Sequence, residues 1–363
     1  MKKILLYGYN GHQNFGDDLL LRIAYDLIKE AGLLISIVTN NPKGVRYLTQ
    51  WFPKAEIILH QSPGKIFKEF DKVLYIGGNL IFNYEDHPSF LLVLKKLFSS
   101  IRLFLIPYWF KRTDFGAISI GVGPFRSKSL EITTLTSLRS FSLVLVRDKK
   151  SYRLAKKYLR KRVIFEENPD FCVGDYEELR KIRENSVRSD EIFIVIRNIQ
   201  QNNINNSYIQ NLIRFRNELV KQNKKIVWCS LQKEYDENAM SVIPATDTIL
   251  QWNPEEMCLK DFYQRFSEAS FVITARMHAL FVAGMLGIPT IGLRLHPDKF
   301  DFAASGFTQN VIVVNTEASA DDLMLHYQRL IENTPLFFLS ERFKIWLESI
   351  ERGKKHLQNW VNL

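Results

Sequence analysis

Short apolar runs alternate along the chain with longer stretches whose apolar positions recur at helical spacing. The stretch Asp17–Ala31 is the first of the amphipathic stretches and follows the apolar run Lys3–Tyr9 after a short connection. Alternation of this kind predicts a mostly parallel sheet with helices on both faces. The predicted strands of the first half are Lys3–Tyr9, Leu34–Thr39, Glu56–His60, Lys72–Ile76, Ala117–Ile120 and Leu143–Arg147.

The second half repeats this alternation after a polar run, Arg180–Asp190, which we interpret as a linker. Its predicted strands are Glu191–Ile196, Lys225–Ser230, Thr248–Leu250, Phe271–Thr274, Thr290–Leu293 and Val311–Val314, and a long amphipathic helix follows Pro335. A chain of 363 residues is also too long for one ordinary core. The sequence therefore predicts an α/β protein of two Rossmann-like domains facing a cleft, residues 1–182 and 188–335, with a C-terminal helix over residues 336–363.

Arg276 and His278 stand between the apolar run Phe271–Thr274 and a small-residue helix predicted over Ala279–Leu286. Open α/β sheets bind ligands where a strand's carboxyl end turns into a helix. The free N–H groups of that helix end favour an anion, and a guanidinium presents a fork that matches carboxylate or phosphate. This stretch therefore predicts an anion site, with a surface arginine and a capping histidine as the alternative.

Glycine-rich turns follow three of the predicted strands in the first half. The first contains Gly11, His12, Asn14, Gly16 and Asp17, and the others are Gly77-Gly78-Asn79 and Gly121-Val122-Gly123-Pro124. Their spacing matches neither the dinucleotide motif nor a P-loop. Glycine lets the backbone approach a ligand closely, so these turns are predicted to line one edge of the cleft. Asp17 either caps the following helix or contacts a ligand.

Charge and cysteine content limit the kinds of partner and binding site that the protein is expected to have. A formal net charge of +10 suggests an anionic partner, but the basic residues are dispersed and no nucleic-acid-binding module is present. Three scattered cysteines predict neither a disulfide framework nor a zinc site, and no cluster of ligands suggests another metal. The sequence thus predicts a cytoplasmic protein. The apolar and basic stretch Phe90–Arg112 is interpreted as a core helix, with peripheral attachment to the inner leaflet as the alternative.

The order of these motifs resembles that of the polysaccharide pyruvyl transferase family. The similarity rests on Gly8, Gly11, Asn14, Gly16 and Asp17, then Gly77-Gly78, Gly121-Val122-Gly123-Pro124, Val146-Arg147-Asp148 with Ser151, and Arg276-Met277-His278, and it extends from Met1 to about Phe300. The resemblance implies a fold like that of the two-domain GT-B glycosyltransferases. It also implies transfer of a pyruvyl group from phosphoenolpyruvate to sugar hydroxyls as a ketal, with no cofactor besides this co-substrate. Asn79, Asn83, Ser119 and Asn168 depart from the family pattern.

The resemblance and the chemistry together assign roles to the candidate residues. Phosphoenolpyruvate carries two anionic groups, so its site needs separated cations, and histidine is the side chain that exchanges protons near neutral pH. His278 and Arg276 are the predicted catalytic residues. Arg147, Arg276, Met277, His278 and Lys299 are predicted to bind the donor, and Gly11, His12, Asn14, Gly16, Asp17, Gly78, Asn79 and Gly123 to bind the acceptor glycan or line the cleft.

Several alternatives stay open from the sequence. Arg147 could simply pair with Asp148, and Lys299 could be a solvated lysine. Tyr9, Trp51 and Trp252 could stack on sugars, although core packing is the usual role of an aromatic ring. At the level of function, the alternatives are a glycosyltransferase that uses a nucleotide sugar and a noncatalytic ligand-binding homologue.

Overall fold

The computed structural model describes residues 1–62, 66–78, 81–83, 113–125, 127–198, 202–295, 297–332 and 340–363. Within these ranges the chain groups into two compact units. The N-terminal unit contains Met1–His12, Asp17–Gly174 and Glu348–Leu363, and the C-terminal unit contains Gln13–Gly16 and Asp175–Leu347.

The N-terminal unit is built on parallel strands that alternate with helices. Its strands are β1 (Lys3–Tyr7), β2 (Leu34–Thr39), β3 (Glu56–Leu59), β4 (Lys72–Ile76), β5 (Ile81–Asn83), β6 (Asp114–Ile120), β7 (Val122–Phe125), β8 (Phe141–Val146) and β9 (Ile164–Glu167). Its helices are α1 (Phe15–Ile28), whose first two residues group with the other unit, α2 (Val45–Trp51), α3 (Lys128–Thr136) and α4 (Lys149–Ala155).

The C-terminal unit repeats the pattern. Its strands are β10 (Glu191–Ile196), β11 (Lys225–Ser230), β12 (Thr248–Gln251), β13 (Phe271–Thr274), β14 (Thr290–Arg294) and β15 (Val311–Asn315). Its helices are α5 (Tyr176–Asn185), α6 (Asn202–Lys221), α7 (Lys233–Met240), α8 (Leu259–Ser267), α9 (Met277–Met285), α10 (Pro297–Ala304) and α11 (Ala320–Glu332). The last helix, α12 (Glu341–Asn362), begins in this unit and ends in the N-terminal one.

Each unit has one main parallel sheet. In each sheet, successive strands are added first toward one edge and then, after a single switch, toward the other. The strand orders are β3-β2-β1-β4-β6-β8-β9 and β12-β11-β10-β13-β14-β15. The switch lies between β1 and β4 in the first sheet and between β10 and β13 in the second. Ligands of doubly wound folds bind at the carboxyl ends of the strands at such a switch point. Several of the sequence-predicted site residues lie in the turns, or at the starts of the helices, that follow β1, β4 and β13.

The strands of both units are almost uniformly apolar because they lie in the middle of the two cores. Parallel strands are covered by helices on both faces, so side chains that point to either face are buried. Ile192–Ile196 of β10 are all buried, as is every residue of β13. Around these strands, Trp228 and Phe215 complete the core of the C-terminal unit, while Phe115 and Val144 lie in that of the N-terminal unit.

The structure confirms two parallel-sheet α/β domains and a C-terminal helix, and it corrects several local predictions. Strands β2, β4, β10, β11 and β13 match their predicted bounds residue for residue. The run Arg180–Asp190 is not a free linker, because α5 continues to Asn185. The predicted glycine turn after Ile120 forms strand β7, which pairs with β5. Strand β9 was not predicted.

The grouping of the chain also differs from the predicted boundaries. The change between units falls at Gly174 rather than at 182–188, and the end of the terminal helix packs in the N-terminal unit. There the backbone carbonyl of Trp360 accepts a hydrogen bond of 2.7 Å from Lys72 Nζ. The predicted helix over Phe90–Arg112 lies outside the described residues. Over the ranges that are described, every helix is too short or too polar to cross a membrane.

Candidate functional site

Arg276 ends the turn after β13 and serves as the N-cap residue of α9. Its backbone is held by Thr274, whose Oγ1 accepts a hydrogen bond from Arg276 N at 3.0 Å and donates one to Arg276 O at 3.1 Å. Helix α9 begins at Met277, two residues earlier than predicted. His278 therefore lies within its first turn rather than ahead of it.

The side chain of Arg276 is almost completely buried, with 10% of it exposed. Its Nη2 donates to Oδ1 of Asp236, a fully buried carboxylate on α7, at 2.6 Å. Burial lowers the pKa of the guanidinium, while the charge of Asp236 opposes this shift and that of Arg197 adds to it. Because a guanidinium stays protonated in proteins, the lowered pKa means that this site holds a positive charge in an unfavourable, desolvated place.

One donor of Arg276 is left over. Its Nε is buried and has no hydrogen-bond partner among the residues that the structure describes. An unsatisfied buried donor costs free energy, and one on a charged group costs more. The geometry thus leaves the guanidinium with bonding capacity that an anion could satisfy.

His278 is half-buried and packs against the start of α1 within the same unit. A Cβ atom at Gly16 would overlap the imidazole, so glycine is required there for steric reasons and not for its φ angle. Asn14 holds this segment in two ways. Its Oδ1 accepts from Gly16 N at 3.1 Å, and its Nδ2 donates to Gln232 Oε1 at 3.0 Å.

Asn14 and Gly16 were predicted on the acceptor side, and the structure places both in the C-terminal unit, Gly16 directly against His278. Asn14 also takes the capping role that was considered for Asp17, because it bonds the N–H of the second residue of α1. Phe15 anchors the segment, with its ring 5.2 Å from that of Trp252. Trp252 is fully buried, which confirms its interpretation as a core residue.

The other donor-binding candidates of the C-terminal unit lie on two helices. Met277 is the first residue of α9 and is half-buried. Lys299 lies in the first turn of α10 and is also half-buried rather than fully solvated.

Arg147 follows β8 in the N-terminal unit and is buried. Its Nη1 lies 3.6 Å from Oδ2 of Asp170, which is also buried. The alternative pairing with Asp148 is not what holds it. Asp148 instead caps α4, where its carboxylate accepts from the N and Oγ of Ser151 at 2.7 and 2.8 Å.

The acceptor-side candidates of this unit follow β1 and β4. Gly77 and Gly78 have positive φ angles of 61° and 70°, a conformation that glycine adopts without strain. Asp17 lies beside them, with its Oδ1 3.5 Å from the position of a Cβ at Gly78. Gly11 also has a positive φ, of 83°, and packs against Thr39.

His12 presents a flat aromatic surface together with Tyr9. The two rings stack 3.9 Å apart with an interplanar angle of 9°, and Tyr9 is 44% exposed. His12 Nε2 lies 2.8 Å from Asn40 Oδ1. Gly123 lies inside β7 and has a φ of 87°. Asn79 lies outside the described residues.

Sequence reasoning missed Asp236. It lies in the polar stretch Lys233–Met240, where nothing in the spacing distinguishes it from its exposed neighbours. Only the fold buries it, and three donors then surround its carboxylate: Arg276 Nη2, the backbone N of Asn198 at 3.1 Å and Ser230 Oγ at 3.2 Å.

Solved structures of similar architecture include UDP-GlcNAc 2-epimerases and a wall teichoic acid polymerase. The UDP-GlcNAc 2-epimerase from Neisseria meningitidis has a TM-score of 0.62 at 14% identity, and the one from Methanocaldococcus jannaschii a TM-score of 0.61 at 14%. Both alignments cover 99% of this chain and all of the other. A variant of the wall teichoic acid polymerase TagF has a TM-score of 0.52 at 12% identity, over 99% of this chain and 88% of its own. At such identities the likeness shows the fold alone, which is GT-B-like.

The two parallel sheets define a two-domain α/β protein, with the buried guanidinium of Arg276 at the turn before α9. The sequence profile of the polysaccharide pyruvyl transferase family matches residues 14–297, and the chain belongs to this family. No curated protein matches it significantly in sequence.

Proposed function

We propose that the protein transfers a pyruvyl group from phosphoenolpyruvate to two hydroxyls of a sugar in a polysaccharide or its precursor. The products are a pyruvyl ketal and inorganic phosphate, and no cofactor is required. The buried guanidinium of Arg276 is the observation that carries this proposal. Its Nε has no partner among the described residues and lies at the start of a helix, where backbone N–H groups add to its attraction for an anion.

The reaction assigns distinct roles to Arg276 and His278. Arg276 binds an anionic group of the donor, and its charge stabilises the phosphate as it leaves. His278 donates a proton to the methylene carbon, which becomes a methyl group, and the central carbon then bonds to one sugar hydroxyl oxygen. A second hydroxyl of the acceptor displaces phosphate from the same carbon, and the protons that the two hydroxyls lose return to the histidine and depart with phosphate.

The acceptor side of the proposal rests on the N-terminal unit. The exposed ring of Tyr9, stacked on His12, offers a flat apolar face beside the amide of Asn40. Flat aromatic faces and amide side chains suit the apolar faces and hydroxyls of a sugar ring. Arg147 remains a predicted donor ligand, and Lys299 likewise.

Ligand binding and turnover together test the proposal. Phosphoenolpyruvate should raise the melting temperature of the purified protein, and release of phosphate should depend on an added acceptor glycan. Arg276→Ala should weaken phosphoenolpyruvate binding by roughly 2–4 kcal/mol, as for a lost charge-assisted pair. His278→Ala should leave binding nearly unchanged and lower turnover by about 10²–10⁴-fold.

The competing functions predict other results. Stabilisation by UDP-GlcNAc and not by phosphoenolpyruvate would replace the proposal with a glycosyltransferase. Binding of phosphoenolpyruvate without turnover on any acceptor tested would favour a noncatalytic homologue. A fall in affinity in His278→Ala with unchanged turnover would make this histidine a phosphate ligand only.

A further inference from the structure

Arg197 stands beside Arg276 at the switch point of the C-terminal sheet. Strands β10 and β13 are neighbours whose paired residues end at Val195 and Thr274. Ala275 N still donates to Val195 O at 3.0 Å, so the parallel register continues past the last paired residues. In that register Arg197 and Arg276 are opposite each other, both at the carboxyl ends of their strands.

The ring of Tyr235 is within cation–π distance of both arginines. The Cζ atom of Arg197 is 5.8 Å from the ring centroid, and that of Arg276 is 5.6 Å from it. A guanidinium at such a distance is attracted by the quadrupole of the aromatic ring. The half-buried tyrosine thus holds two like charges that would otherwise repel each other.

Asp236, the next residue along α7, fixes the same two strand ends. Its Oδ1 accepts from Nη2 of Arg276 at 2.6 Å and from the backbone N of Asn198, the residue after Arg197, at 3.1 Å. This carboxylate therefore pairs with the guanidinium of Arg276 and also holds the backbone next to Arg197, whose own guanidinium it does not neutralise through any contact among the described residues. The cluster has an excess of one positive charge in a largely buried place, and the unpartnered Nε of Arg276 belongs to it.

We propose that Arg197 and Arg276 form a two-guanidinium site for a single phosphate group, with Tyr235 as the residue that positions both. Two planar forks and the N-terminus of α9 supply more donors than a carboxylate can accept, and a phosphate group has three free oxygens to accept them. This inference rests on the proposed function in taking the phosphate to be that of the donor, or the inorganic phosphate that it releases.

Calorimetric binding of inorganic phosphate to the full-length protein tests the site directly. Arg197→Ala should weaken phosphate binding about tenfold or more, the loss expected for a hydrogen bond to a charged group. Arg197→Lys should have a phosphate affinity between those of the wild type and Arg197→Ala, because lysine keeps the charge but lacks the planar fork of donors. Arg214→Ala, which removes an exposed arginine from α6, should bind phosphate like the wild type.

Tyr235 supplies a second, independent test with a matched pair. Tyr235→Phe keeps the aromatic face and should bind phosphate within about twofold of the wild type, whereas Tyr235→Leu should lose several-fold in affinity. Thermal unfolding of each variant shows whether it is folded. Should Arg197→Ala fail to fold, Arg197→Lys and the Tyr235 pair decide the question.

The outcomes separate this inference from the proposed function. If phosphate binding is lost in Arg276→Ala but unchanged in Arg197→Ala, Arg276 acts alone and the two-guanidinium site is wrong. If the wild type binds phosphate in an Arg197-dependent way but binds UDP-GlcNAc and not phosphoenolpyruvate, the site stands and the proposed function falls. A folded wild type that binds neither inorganic phosphate nor phosphoenolpyruvate overturns the site.

Discussion

The imidazole of His278 fills the space that a side chain at residue 16 would need. The two residues are far apart in sequence, and both group with the C-terminal unit. Gly16 has no positive φ, so its backbone would accept alanine if the ring were not there. Glycine at residue 16, the second residue of α1, is therefore explained by the space that the imidazole of His278 occupies, and not by its backbone conformation.

Gly16→Ala is expected to have opposite effects on stability with and without the imidazole. In the wild type the new methyl group should overpack the site and lower the free energy of unfolding by about 1–3 kcal/mol. In a His278→Ala background the same change should be neutral or stabilise by up to about 1 kcal/mol, because alanine is the better helix former. Chemical denaturation of the four proteins measures the coupling. Equal effects in both backgrounds would contradict the contact.

Ser119 is expected to tolerate glycine better than alanine. Its φ is 54°, in the left-handed region, and its Oγ accepts a hydrogen bond of 2.6 Å from Phe171 N. Both variants lose this bond, but only glycine relieves the backbone, so Ser119→Ala should be less stable than Ser119→Gly by about 1 kcal/mol. Ser36, in the regular strand β2, is the control. There the alanine variant should be the more stable of the two, and the same order at both positions would refute the explanation.

Glu191 should make stability depend on pH in the acid range. The hydrogen bond from Arg265 lowers the pKa of this carboxyl, although partial burial opposes the shift. A depressed folded-state pKa gives stability that is present at neutral pH and is lost as the pH falls through that pKa. The melting temperature of Glu191→Gln should therefore fall less between pH 7 and about pH 3 than that of the wild type. Glu218→Gln, which removes a carboxylate that is 45% exposed on α6, is the control and should track the wild type.

The sequence predicted the sheets well because their strands are buried on both faces. The run Glu191–Ile196 is apolar almost throughout, and no amphipathic helix has that pattern. Strand β7 was missed because glycine and proline in Val122–Phe125 are typical of turns. Its pairing with β5 is a tertiary effect that no local pattern expresses.

The candidate site was predictable in part, and the reason differs from residue to residue. Arg276 and His278 follow a strand and precede a helix, so local pattern was enough to single them out. Arg197 also follows a strand directly, so its position in the sequence contains the same kind of signal. Asp236 had no such signal, because its burial depends on how α7 packs in the C-terminal unit.

Variants of the ion pair between Asp236 and Arg276 should show that stability and phosphate binding change independently of each other. Asp236→Ala leaves the guanidinium buried without its carboxylate and should cost about 3–5 kcal/mol of unfolding free energy. The double variant Asp236→Leu/Arg276→Met replaces both charges with apolar groups and should recover most of that loss. It should nevertheless bind no phosphate, because the guanidinium is gone.

The control is an exposed ion pair, Arg294 with Asp301, whose removal should affect neither stability nor phosphate binding. These side chains are 32% and 50% exposed, and an exposed ion pair contributes about 0–1 kcal/mol. Replacing both should therefore change neither stability nor phosphate affinity by a measurable amount. Denaturation and calorimetry on the same protein samples distinguish the cases. If Asp236→Leu/Arg276→Met were as unstable as Asp236→Ala, packing around α7, and not the unpaired charge, would account for the lost free energy of unfolding. A double variant that still bound phosphate would remove Arg276 from the anion site altogether.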